Sequence, residues 1–366
     1  MKELTQHDVD NRLESLVSRA WEHNARHFPH ISAPDVLALL AAVGHQGVNS
    51  SRGGKRLRAL LLHATATTFS PHCELSQEDN RALIDLGCAI EIFQTAALIH
   101  DDIIDAADTR RGQLSAHRAL EDFTHDADQG SALALMLGDL LATLSIRTAH
   151  TSSASLPESS GIFETFLDMH DQVELGQIMD ISMETLDLEK TEELASSITS
   201  TYINKTASYT TIAPLIMGIL ASGQPQAAEL ATTFAHSVGE KLGIAFQIHD
   251  DLLDLLDTSE STGKPVGGDI REAKRTYVLA HALRLASPQD RRFLIDAYMQ
   301  QEPRTADDIA RIRSIFMHSG AIESCIQDVE KLWSQAAQEI LSTCMTLNIA
   351  PQTVQNYLSL CSRFVG

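Results

Sequence analysis

Residues 246–254 read Phe-Gln-Ile-His-Asp-Asp-Leu-Leu-Asp, three carboxylates set into otherwise apolar sequence. Leu242, Ala245, Phe246, His249 and Leu253 recur at the spacing of one helix face. At ~100° per residue, steps of four and seven return to the same side, so Asp250, Asp254 and Asp257 share a stripe, with Gln247 close to it. The pattern has a twin. Residues 101–105 read Asp-Asp-Ile-Ile-Asp, with Asp108 beyond them and Gln94 on the same stripe. Around both, the chain reads as helix: Leu57, Leu60, Leu61 and Ala64 repeat with the same period, as do Ile84, Cys88, Ile92 and Thr95. No alternating strand pattern and no Asn-Gly or Asp-Gly hairpin signal appears. The expected fold is all-α, an antiparallel helical bundle.

Carboxylates one turn apart repel, and on an apolar helix the repulsion is costly. A cation between the two stripes would relieve it. Mg²⁺ suits this arrangement because it is hard, takes oxygen ligands, and is commonly shared between a few carboxylates and substrate phosphates. The competing reading, a solvated helix face, accounts for one such motif better than for two in apolar context.

Basic residues recur beside the acidic ones. Gly53-Gly54-Lys55-Arg56-Leu57-Arg58 stands where a helix opens, Arg110-Arg111 follows the first aspartate motif, and Lys205-Thr206 precedes Pro214. Lys264 and Lys274 follow the second motif. Salt bridges alone would explain one or two of these. A Gly-Gly helix entrance is also an anion-binding arrangement. Carboxylates for Mg²⁺ and cations for oxyanions together describe a diphosphate site.

The bulk properties agree. The formal charge of -21 disfavours nucleic acid as a partner. Five scattered cysteines without CxxC spacing argue against a disulfide framework or zinc site and fit a reducing cytoplasm. The N-terminus lacks the apolar stretch of a signal peptide, and the longest apolar stretches, 131–146 and 211–221, fall short of the ~20 residues that span a bilayer. Breaks are expected at 47–54, 151–161, 222–226 and 258–268, none long enough for a flexible interdomain linker. One domain over 1–366 is therefore expected: an N-terminal helical segment at 1–45, a motif-bearing core at 46–280 and C-terminal helices at 281–366.

In order along the chain stand GGKRLR at 53–58, DDIID at 101–105, RRG at 110–112, KT at 205–206, FQIHDDLLD at 246–254, and GK, GD and Lys274 across 263–274. In these six features the sequence resembles the trans-isoprenyl diphosphate synthases, also called polyprenyl synthetases. The resemblance implies the isoprenoid synthase fold, a helical bundle around an apolar cavity, usually as a homodimer. It implies that Asp101 and Asp105 hold two Mg²⁺ with Asp102 nearby, and that Asp250 and Asp254 hold a third with Asp251 assisting. Arg110, Lys205, Gln247, Lys264 and Lys274 would bind an allylic diphosphate. Lys55, Arg58, Gln94 and Arg111 would bind isopentenyl diphosphate, and Thr206 and Gln247 would face the developing carbocation. Ala96 and Ala97 fall at positions the family uses to set chain length, and two alanines there imply a product of C20 or longer. The sequence departs from the commonest family pattern at Ala59, Leu114-Ser115, Ala207 and Gln94, without loss of a charge or a metal ligand. Two other readings share some features. A class I terpene cyclase would not need the second basic set of Lys55, Arg58 and Arg111. A non-catalytic subunit of a heteromeric synthase usually lacks an aspartate motif, and here both are present. The C-terminal helix around Tyr357 to Arg363 is a candidate cover for the site.

Overall fold

A computed structural model of the chain describes residues 4–26, 31–71, 76–256, 267–300 and 302–366. Helices dominate the described residues, as expected. The contacts divide the chain into two compact units, residues 1–167 with 217–227, and 168–216 with 228–366.

The first unit contains α1 (Gln6–Ala25), α2 (Pro34–Ser50), α3 (Leu57–Phe69), α4 (Gln77–Ile104), α5 (Ala116–Thr124) and α6 (Ala127–Ser153). Helix α4 is its spine and packs most extensively on α6, with α3 and α1 on other sides. Its start is written locally: the Ser76 hydroxyl accepts the Asp79 N–H at 3.0 Å, and Glu78 and Asp79 sit at the positive end of the dipole. Leu83, Leu86, Cys88, Ile90, Ile92 and Phe93 are fully buried, and each large apolar side chain removed from water stabilises the fold by ~1.5–3 kcal/mol. Gly47, expected in a break, lies inside α2, where a Cβ would come 3.1 Å from Leu137.

Helices α4 and α6 are both long and apolar enough to cross a membrane by length and composition, contrary to the reading from apolar stretches alone. In α4, 72% of the apolar window is buried within the fold, as a core helix requires; in α6 the figure is 39%.

A short hairpin is present without an Asn-Gly or Asp-Gly signal. Thr109–Arg110 (β1) and Gln113–Leu114 (β2) pair antiparallel, Thr109 with Leu114 and Arg110 with Gln113. The turn is Arg111-Gly112, with φ of 54° and 73°. Positive φ at both central residues is the type I′ requirement usually met by Asn-Gly.

In the second unit, α8 (Thr191–Thr201) runs into a π-helical stretch, Tyr202–Ile212, continued by α9 (Ala213–Ala221), whose residues from 217 on belong to the first unit. Beyond α10 (Ala227–Phe234), a shorter π-helical turn at Ala235–Gly239 leads into α11 (Glu240–Leu256). After it come α12 (Gly268–Glu272), α13 (Tyr277–Leu285), α14 (Pro288–Met299), α15 (Ala306–His318), α16 (Ala321–Thr346) and α17 (Pro351–Ser362). Helix α11 packs on the π-helical stretch and on α16. The core joins Leu194, Ile198, Ile248, Leu252, Leu279, Leu294, Phe316 and Cys325. The approach of α11 to the π stretch is close: a Cβ on Gly243 would lie 2.3 Å from the Ala207 Cβ, so only glycine fits.

Candidate active site

The first aspartate motif is a helix end. Asp105 caps α4, Ala106 takes φ 50°, and the Ala106 and Ala107 N–H groups return to the carbonyls of Ile103 and Asp102. This is a Schellman closure, made here with alanine where glycine is usual. Asp101 and Asp105 are thus one turn apart on the last turn, but Asp108 is off the helix and does not continue the stripe; it pairs with Arg118 at 2.9 Å.

The hairpin folds Arg110 back onto the motif. Its Nε donates to Asp102 Oδ1 at 2.8 Å, and its Nη2 reaches Asp101 Oδ2 at 3.3 Å as well as Asp102. Asp102, almost fully buried, is therefore bound to a guanidinium, whereas Asp101 and Asp105 are only partly buried. Arg111 lies along the Gly53-Gly54 loop and donates from Nη1 to the Arg52 carbonyl at 2.7 Å. Burial, followed by Arg56, lowers its pKa, with Arg110 and Arg58 adding to the effect against Glu91. Several guanidiniums held together in this way attract an anion. Arg56 itself, at φ 55°, is structural: it donates to Asp10 at 2.6 Å, to the Ser51 carbonyl at 2.5 Å and to Glu91 at 3.4 Å. Because Arg56 is left-handed and α3 begins only at Leu57, Lys55 and Arg58 do not share a helix face; Lys55 is exposed and Arg58 buried. Gln94 is half-buried on α4, two turns before Asp101.

The second motif lies wholly inside α11, with Asp250 exposed, Asp251 buried and Asp254 between. Two side chains of the π-helical stretch meet it in antiparallel register. The Tyr202 hydroxyl donates to Asp251 Oδ2, and four residues on, the Thr206 hydroxyl donates to Gln247 Oε1 at 2.8 Å. Gln247 Nε2 closes the set on Asp251 Oδ1 at 2.9 Å. Burial, chiefly, pushes the Asp251 carboxyl up to about 7. Asp254 accepts the N–H groups of Gly268 and Asp269 at 3.2 and 3.1 Å, which fastens α12 to the motif. The half-buried Asp269 beside it is raised well above its ordinary range, first by loss of solvation and then by Asp251 and Asp254. Lys274 pairs with Glu272 at 3.0 Å. Lys264 and Asp257 lie outside the described residues. Lys205 reaches Asp180 of α7 (Ser159–Ser182) at 2.5 Å, where Gly176 lets the two backbones touch. The C-terminus lies on the same helix: Phe364 meets Phe246 edge-on at 5.9 Å, and a Cβ on Gly366 would come 2.9 Å from the His249 ring. Arg363 is exposed.

Asp180, Tyr202 and Asp269 were not picked from the sequence. A signal existed for two: Gln177 and Asp180 are polar residues at helical spacing in an apolar run, and Gly-Asp at 268–269 stands in a quoted motif. Tyr202 gave none.

The donors suit Mg²⁺. All are carboxylate oxygens, and among the described residues no three His, Cys, Asp or Glu side chains converge to cage an ion alone. An ion that completes its shell with water and substrate phosphate needs no such cage.

A protein built almost wholly of helices, with two aspartate motifs and a cluster of guanidiniums beside one of them, is of the diphosphate-handling class. Known proteins narrow that class. The polyprenyl synthetase family model matches residues 41–316. A short chain isoprenyl diphosphate synthase of Methanothermobacter thermautotrophicus is 31% identical, over 74% of this chain and 75% of its own. A geranylgeranyl diphosphate synthase of Sulfolobus acidocaldarius is 32% identical, over 67% of this chain and 68% of its own. The crystal structure of a geranylgeranyl pyrophosphate synthase from Corynebacterium glutamicum, complexed with isoprenyl diphosphate and magnesium, superposes with a TM-score of 0.80 at 27% identity, covering 99% of each chain. The chain belongs to the polyprenyl synthetase family. It is a trans-prenyltransferase, of a family that joins isopentenyl and allylic diphosphates and uses Mg²⁺ to bind them.

Proposed function

We propose that this enzyme condenses isopentenyl diphosphate with an allylic diphosphate to an all-trans prenyl diphosphate of C20 or longer. The observation that carries the length is the turn of α4 before Asp101, where Ala96 and Ala97 stand, Ala96 fully buried and Ala97 partly so. Small side chains there leave room for a growing tail. Relatives named geranylgeranyl, geranylfarnesyl and octaprenyl diphosphate synthase support the reading.

Asp101 and Asp105 would hold two Mg²⁺, and Asp250 and Asp254 a third. Bound Mg²⁺ supplies positive charge to the departing diphosphate. Arg110, Lys205, Lys264 and Lys274 bind that same group, and their charge is worth most as it leaves. Lys55, Arg58, Arg111 and Gln94 hold isopentenyl diphosphate in place for attack. Thr206 and Gln247 turn oxygens toward the allylic cation. The isopentenyl double bond attacks it, and a proton leaves to the released diphosphate. Apolar walls exclude the water that would quench the cation.

We further propose a cytoplasmic homodimer. The exposed Leu135, Met136 and Leu140 of α6 support an apolar contact between copies. Sedimentation at two ionic strengths tests it, and a monomer at both discards it.

Radiolabelled isopentenyl diphosphate offered with C5, C10, C15 and C20 primers, with mass spectrometry of the products, tests the function. Ala97→Phe is expected to shorten the main product by at least one C5 unit. An unchanged length removes Ala97 from the length-setting role, and hydrocarbon from geranylgeranyl diphosphate alone favours a cyclase.

A further inference from the structure

The hydrogen bonds between the π-helical stretch and α11 have a direction. The Tyr277 N–H donates to the Tyr202 oxygen at 3.0 Å. The Tyr202 hydroxyl donates onward to Asp251 Oδ2. The other carboxylate oxygen, Oδ1, accepts Gln247 Nε2 at 2.9 Å, which leaves Gln247 Oε1 to accept the Thr206 hydroxyl at 2.8 Å. Tyr202, Asp251 and Thr206 are all buried.

A glutamine amide has two faces of opposite polarity and nearly equal shape, so its neighbours decide which is presented. Both oxygens of Asp251 are acceptors here, Oδ2 from the Tyr202 hydroxyl and Oδ1 from Gln247 Nε2. Reversing the Gln247 amide would set its oxygen against the Asp251 oxygen, and would turn an NH₂ toward Thr206. The carboxylate can enforce this choice only while it is held against rotation. Gln247 holds one of its oxygens and Tyr202 the other. Tyr202 in turn has its acceptor side taken by the Tyr277 amide, a backbone group with no other way to point. The order of the whole set is thus anchored in the main chain.

We propose that Tyr202 is a positioning residue that acts through Asp251 to keep the carbonyl oxygen of Gln247, and not its amide nitrogen, beside Thr206. The inference rests on the reading that Thr206 and Gln247 face a developing carbocation. A carbonyl oxygen there stabilises positive charge, whereas an NH₂ group opposes it. The effect of Tyr202 belongs to the reaction step and not to the binding of either diphosphate, since Tyr202 carries no charge and its hydroxyl is spent inside the protein.

Full-length native enzyme, Tyr202→Phe, Gln247→Met and the double variant are assayed with isopentenyl diphosphate and geranyl diphosphate, and the allylic alcohol formed by water capture is measured beside the prenyl product. Tyr202→Phe is expected to lower kcat about tenfold or more, to leave both KM values within about twofold, and to raise the share of alcohol. In the Gln247→Met background the same change is expected to add almost nothing, because its route of action is gone. An equal fall of kcat in both backgrounds overturns the proposal, as does a rise in KM with kcat unchanged. If Tyr202→Phe fails to fold, Gln247→Met decides alone: native kcat and native alcohol share in that variant leave nothing to position, and the proposal falls. Absence of turnover by the native enzyme would instead strike the functional reading itself.

Discussion

The two aspartate motifs have the same spelling and different supports. In the first, the middle carboxylate, Asp102, is bound by the Arg110 guanidinium, brought over by a hairpin. In the second, Asp251 is bound by a phenol and an amide, neither of them charged. The first motif thus carries its own compensating cation, whereas the partners that hold Asp251 are neutral dipoles. A buried carboxylate whose partners are neutral rises in pKa, and Asp251 does. The position in the helix differs too: Asp105 ends α4 in a Schellman turn, while Asp254 stands inside α11 and caps the short α12.

The largest effect is expected where the motifs act alike. Asp101→Ala and Asp250→Ala should each lower kcat/KM by about 10²–10³-fold, the scale of losing one stabilising group for developing charge. If one variant keeps native turnover, the motifs do not serve the same chemistry. A smaller effect separates them. Arg110→Met strands Asp102 beside Asp101 and should cost about 2 kcal/mol of stability, between the ~1 of an exposed pair and the ~3–5 of a buried one. Urea unfolding checks this, and a loss no greater than for Tyr202→Phe would erase the contrast between ionic and dipolar support. The smallest effect is in pH. The Asp251 pKa rises from 3.8 to about 7 on folding, so the folded protein binds that proton more tightly than the unfolded chain. The resulting stability is present at low pH and is lost as the pH climbs from about 4 through 7. Asp251→Asn has no such slope. In metal-free protein its melting temperature should therefore gain on the native value between pH 5 and pH 8, and parallel curves would contradict the assignment.

Sequence spacing made the two motifs, the basic set and the all-α class readable, because helical periodicity and charge are local properties. What it hid was the geometry at helix ends. Asp108 fits the stripe only if α4 continues, and nothing in Ala106-Ala107 announces a left-handed stop, since the glycine that usually marks one is absent. The hairpin was hidden in the same way, with arginine at a turn position that normally takes asparagine. Lys55 and Arg58, three apart in sequence, do not share a helix face because Arg56 is held left-handed by Asp10 and Glu91, residues far away in sequence. Tyr202 was invisible for a related reason: its role depends on a register between two helices, and a register is a tertiary fact. The π-helical stretch gives no periodic sign of itself in so short a length.

That register also limits how this part of the chain can change. Tyr202 with Asp251 and Thr206 with Gln247 are rungs between antiparallel helices, each pair four residues from the next, and Gly243 seats against Ala207 below them. Side chains can be exchanged one at a time along such a ladder. A single codon gained or lost between 203 and 205 would instead slide one rail against the other and misalign every rung beyond it. Here the chain tolerates spelling errors far better than errors of length.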